Sequence, residues 1–186
     1  MGQIPVYYNA LNTGRPADGY DLTHPPRNSL EKYVSRYIDE QNTPLFPFGF
    51  GLTYSSVEYS QTEVDSAKLS AAALNANLGR DASGGTTQAT ASATVKNAGN
   101  RAVDEVVQLY IRLIGTSMEE PVRKLVGFKR IALAPGESRR VSFPLGADAL
   151  SLWDIQNNLR VEPSHVQIWI SPDSSRGLPA ELEIIE

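Results

Sequence analysis

The residues of this chain with the means to do chemistry are few and scattered. His24 lies in a loop ahead of two prolines, and His165 follows VEPS at the start of a strand-like run. Neither is accompanied by a nucleophile-elbow pattern, so both read as surface histidines rather than as members of a serine triad. The run Gly49-Phe50-Gly51 is not a dinucleotide fingerprint, because Tyr54 stands where a third glycine belongs and no strand-to-helix turn follows. Calcium requires about six oxygens, and the loops of Asp148, Asp154 and Asp173 lack the alternating acidic spacing that supplies them. With no cysteine, thiolate metal sites, disulfides and cysteine nucleophiles are removed. No metal and no cofactor is expected.

The elements that would position such groups are bounded by composition. A chain of 186 residues can bury roughly 70% of the surface its unfolded form exposes. With 41% hydrophobic and 20% charged residues it reads as globular, and a net charge of -4 offers nothing to nucleic acid or to an anionic membrane. The opening MGQIPVYYN has neither a basic segment nor an apolar core of signal length, and no apolar run is long enough to span a bilayer. No export or membrane address is expected within these residues.

Aromatic residues divide the chain. Ten of the fifteen lie before residue 60, in a first third rich in turn formers such as NTGRPADGYDLTHPPRN, with one helix or strand candidate, LEKYVSRYIDE at 30 to 40. At 43 to 56 stands TPLFPFGFGLTYSS. Pro44, Pro47, Gly49 and Gly51 exclude a helix and a central strand, yet Phe46, Phe48, Phe50, Leu52 and Tyr54 alternate with period two. An extended segment would carry all five on one side.

From about Ser55 the pattern changes to short alternating runs: VEYSQTEV, TQATASATVKN, EVVQLYIRLI, RKLVGFKRIAL, SRRVSFPL and HVQIWIS. Turns are signalled by NAGN, APGES, WDIQNN and VEPS, and the spacing predicts an all-β sandwich of about seven strands. Its core is expected to contain Val95, Val107, Leu109, Ile111, Val141, Phe143, Val166, Ile168 and Ile170. Trp169 then points to the opposite face of its strand, toward solvent. The stretch 70 to 88 could attempt a short helix over SAAALNANL, but it has little apolar face and is read as a long loop.

Together, IPVYYNALNTGRP, SRYIDEQNTPLFPFGFGLTYSS, ASATVKNAGNRAVDEVVQLYIRL and MEEPVRKLVGFKRIALAPGESRRVSFPL resemble the C-terminal end of family 3 glycoside hydrolases of the bacterial β-glucosidase type. The resemblance runs from about Gly2 to Ile170. It implies that residues 1–54 are the tail of an α/β sandwich domain plus a connector, and that residues 55–186 form a fibronectin type III-like (immunoglobulin-like) sandwich. Retaining glycoside hydrolysis needs two carboxylic groups roughly 5 Å apart with separated pKa values. Glu119 and Glu120 precede Pro121 in a polar loop, while Asp104 and Glu105 are strand neighbours pointing to opposite faces, so both pairs read as solvated. In the family, both catalytic carboxylates lie upstream of the matching part, and no residue here matches either motif.

The resemblance therefore implies a non-catalytic accessory module whose partners are the catalytic domains of a parent enzyme, one that hydrolyses terminal β-D-glucosyl residues in oligosaccharides. Phe46, Phe48, Phe50 and Tyr54 would form the interdomain seam, with a sugar-stacking platform as the competing view. Asn12, Thr13 and Arg15, on a turn leaving the last α/β strand, are candidate substrate contacts or a hydrogen-bonded turn with a buttressing arginine. The rivals are a free-standing module binding β-glucan oligosaccharides through Trp153 or Trp169, and an assembly module that forms a homodimer. Family resemblance implies a periplasmic or secreted location.

Overall fold

The computed structural model describes Leu11, Val34, residues 44–79 and residues 88–186. The candidate helix or strand at 30 to 40, His24, and the trio Asn12, Thr13 and Arg15 lie outside the described residues. Along the chain follow β1 (Val57–Tyr59), β2 (Glu63–Val64), β3 (Lys68–Ser70), α1 (Ala71–Asn75), β4 (Ala89–Asn97), β5 (Val103–Ile114) and β6 (Lys124–Leu133). Then come β7 (Ser138–Leu145), α2 (Ala147–Leu150), β8 (Leu152–Trp153), β9 (Leu159–Arg160), β10 (Ser164–Ser171) and β11 (Ala180–Ile185).

In one sheet β4 is central, with β7 along one edge and β1 and β2 in succession along the other. The other has the order β3-β11-β10-β5-β6 and is antiparallel except where β3 joins β11. The all-β sandwich is as the alternation predicts. Its sheets hold four and five strands rather than about seven in all, because the first run breaks into short β1 and β2 and because β3 adds a parallel edge.

Every residue expected in the core is there. Val107, Leu109 and Ile111 of β5 and Val166, Ile168 and Ile170 of β10 join Val95, Val141 and Phe143 in one buried cluster. Opposite the β5 and β10 side chains β4 presents Ala89, Ala91 and Ala93, small enough to admit branched and aromatic neighbours. At about 1.5–3 kcal/mol for each fully buried large side chain, this face is the main source of stability. Gly127 makes room for Phe143, whose ring would lie 3.3 Å from a Cβ at that position.

The stretch from 70 is not a long loop at its start. Ser70 caps α1 by accepting from the Ala73 N–H at 3.3 Å, and Leu74 is fully buried. Asn75 then exchanges two hydrogen bonds with the Val161 backbone, both 2.8 Å. One leucine and one amide secure the turn, too small a signal for helical periodicity to reveal. Residues 80–87 lie outside the described part.

Candidate functional site

The aromatic stretch ahead of β1 does not run extended. The Phe50 N–H donates to the Pro47 carbonyl at 3.0 Å, closing a turn with Gly49 at φ 82°. That reversal brings the rings of Phe46 and Phe50 to 5.1 Å, so the period-two stripe is folded over rather than displayed along one side. The difference arises because proline and a left-handed glycine dictate the local path more strongly than alternation does.

The turn sits on the outer face of the five-stranded sheet, held by polar contacts. Gln108, on the non-core side of β5, is buried. Its amide donates to the Gly49 carbonyl at 3.1 Å and the Pro172 carbonyl at 2.6 Å, and its oxygen accepts from the Tyr110 hydroxyl at 2.6 Å. The Ser174 N–H adds a bond to the Phe48 carbonyl at 2.9 Å. Gly49 is required twice over: its φ is left-handed, and a Cβ there would lie 2.2 Å from the Gln108 oxygen. At the far end of the connector, the Ser55 hydroxyl donates to buried Asn97, whose amide donates to three backbone carbonyls.

The loop after β10 is the second support. Asp173 is buried and accepts from the Ser175 N–H and hydroxyl and from the Arg176 N–H and Nε. Burial by itself would raise its carboxyl, but these donors outweigh it and hold the group below the usual range. Arg123 donates to the Ser174 and Arg176 carbonyls and lies 4.2 Å over the Trp169 ring. Burial lowers this guanidinium from its ordinary value.

Trp169 thus faces away from the core, as alternation predicts, but it is only 6% exposed. Arg123 and the loop cover it, so it offers no solvent-facing sugar platform. Trp153, 58% exposed on the β8–β9 hairpin, does face solvent.

Most of the acidic residues singled out above have structural partners. Glu105 is half-buried and accepts from the Tyr59 hydroxyl at 2.7 Å, and burial with this bond pushes the phenol far up. Asp104 pairs with Arg130 on the opposite side of the strand. Glu119 is exposed, while Glu120 is half-buried 3.7 Å from Lys124. Beside it Pro121 makes a backbone bridge to Leu11. Asp154 accepts from the Asn158 and Gln156 N–H groups, which hold its carboxyl down. His165 pairs with Glu181 across neighbouring strands. Among the described residues, no three histidine, aspartate or glutamate side chains converge on a metal-sized site.

The described aromatic candidates end up unequally covered. Phe46 is 64%, Phe48 43% and Phe50 40% exposed, while Tyr54 is almost free of contact. Sequence reasoning missed Gln108. A glutamine at an outward position among valines, leucine and tyrosine was the available signal, since a polar group there either faces water or holds something down.

An aromatic turn latched to a two-sheet sandwich defines a fibronectin type III-like domain with a structured leader. The profile of the family described as fibronectin type III-like domain matches residues 105–174. Across its whole length the chain is 39% identical over 185 residues to a periplasmic β-glucosidase of Salmonella typhimurium, covering 100% of this chain and 21% of that protein. A β-xylosidase of Formosa agariphila is 36% identical over 174 residues, covering 94% and 20%. The crystal structure of a β-glucosidase from Listeria innocua in complex with glucose superposes with a TM-score of 0.77 at 31% identity, covering 98% of this chain and 22% of that one. The chain belongs to the family 3 glycoside hydrolases of the β-glucosidase type, in their C-terminal part. It spans about a fifth of the length of these relatives.

Proposed function

We propose that this chain is a non-catalytic accessory module that stabilises and orients the catalytic domains of a β-glucosidase-like enzyme. The observation that carries the reading is coverage: likeness extends over the entire chain yet over only about a fifth of each relative. Glu105 is bonded to Tyr59, Asp104 is paired with Arg130 on the other side of the strand, and Glu119 is exposed beside half-buried Glu120, which supports placing the catalytic pair elsewhere in the parent polypeptide. Residues 1–54 are then the tail of the preceding domain plus its connector, and residues 55–186 the module proper. Phe46, Phe48, Phe50 and Tyr54 form the seam, and Asn12, Thr13 and Arg15 are the candidate substrate contacts. The parent acts on terminal β-D-glucosyl residues, and its location is periplasmic or secreted, as the description of the Salmonella relative supports.

A second reading rests on Trp153. Its exposed ring on a hairpin stapled by Asp154 is a candidate contact for a β-glucan oligosaccharide. Among the described residues no second aromatic ring is paired with it, and a single ring makes a weak platform, so the accessory role is preferred. In the isolated chain, the seam rings favour a concentration-dependent homodimer. Incubating the chain at high concentration with an aryl β-glucoside should release no aglycone. Turnover that disappears on substitution of one carboxylate within these residues would overturn the reading.

A further inference from the structure

The aromatic turn is one wall of a cleft. Between residues 48–56 and the edge of the five-stranded sheet lies an open groove of about 740 Å³, bordered on the sheet side by Val106, Leu125 and Phe128. Phe128 is cross-strand partner to Gln108, on the same outer face, and 69% of it is exposed. Val106, two residues before Gln108, is exposed as well. Latch and open apolar wall are therefore neighbours on one surface.

The charged groups around this groove already have partners. Asp104 pairs with Arg130, Glu105 accepts from Tyr59, and Arg176 is held by Asp173. What remains unfilled is apolar, which selects an apolar occupant. The connector wall of the groove follows Pro44 directly in the chain, so a domain that precedes these residues in a longer polypeptide is covalently tethered to the groove.

We infer that this cleft is a two-walled socket for an apolar protrusion of the preceding catalytic part, with Gln108 as the residue that positions its connector wall. The inference rests on the accessory role proposed above and deepens it: docking uses Val106 and Phe128 of the sandwich itself, beyond the linear stripe in the connector. Gln108 makes the turn and the sheet one surface, so an occupant can bury both walls at once.

The test uses the complete enzyme that carries this chain, in parallel with the 186-residue chain alone. In the complete enzyme, Phe128→Lys and Gln108→Ala should each raise the rate of proteolytic cleavage within the connector about tenfold or more, through more frequent opening of the seam. Phe128→Lys should leave the thermal midpoint of the 186-residue chain unchanged, which separates docking from folding. Trp153→Ala, exposed but away from the socket, should leave cleavage unchanged. If the unmodified complete enzyme is cleaved in the connector as fast as the isolated chain, or if no longer polypeptide carries this chain, the accessory role itself fails. If the unmodified enzyme is protected and Phe128→Lys stays equally protected, the accessory role stands and the socket is overturned. Uncoupling by Trp153→Ala instead would move the docking face to the hairpin and likewise overturn it.

Discussion

The two faces of the five-stranded sheet are closed by different physics. On the inner face Val107, Leu109, Ile111, Val166, Ile168 and Ile170 meet the opposite sheet in a dry cluster. On the outer face Gln108, Tyr110 and Trp169 are also buried, but beneath a turn, a loop and one arginine held by hydrogen bonds. The inner contact is non-directional and tolerates small shifts. The outer one depends on particular donors and acceptors, and it stops short of Phe128. The difference teaches that burial alone does not identify a core: one face holds the domain together, and the other prepares a surface.

The largest effect should come from breaking the inner face. Phe143→Ala removes a ring packed against Gly127 and the core, and is expected to destabilise the chain by about 3–5 kcal/mol in a denaturant titration. An unchanged midpoint would mean that the strand register is wrong.

The outer face should respond less, and in a coupled way. Gln108→Ala removes the donor to the carbonyls of Gly49 and Pro172 and the acceptor of the Tyr110 hydroxyl's bond, at a cost of about 1–3 kcal/mol. Gly49→Ala should also destabilise, because its Cβ would displace the Gln108 amide. The double variant should lose less than the sum of the two, since one disruption removes the obstacle to the other. Strict additivity in a double-mutant cycle would show that the turn and the glutamine act independently.

The smallest effect at neutral pH sharpens the comparison through acid. The Asp173 carboxyl is depressed in the folded chain, so its contribution is present above the unfolded value of about 3.9 and is lost as pH falls through the folded value. Stability of the parent chain should therefore decline below about pH 4, and Asp173→Asn should flatten that decline. Parallel curves for the two proteins across this range would remove Asp173 from the outer network's pH response.

How much of this was legible in advance follows the same division. Alternation alone assigns the nine inward residues named for the core, because a strand has only two faces and hydrophobic burial chooses between them. It also places Trp169 opposite Val166 and Ile168. It does not say what covers Trp169, since Arg123 comes from a distant part of the chain and the loop at 172–177 folds back over its own strand. The same limit explains α1: Leu74 and Asn75 are secured by a distant strand end rather than by an apolar stripe of their own.

The aromatic stretch shows where local rules compete. Its alternation suggested one continuous face, while Pro47 and Gly49 carried the information for a reversal, and the backbone geometry of the turn prevailed. The sequence by itself determined the family, the all-β class and which strand residues turn inward, because these depend on local order and on a period of two. Tertiary structure alone decided that Gln108 would hold Gly49 and that Phe128 would stand open beside it. Those outcomes depend on residues 59 positions apart meeting across a sheet surface, a distance over which no local pattern carries information.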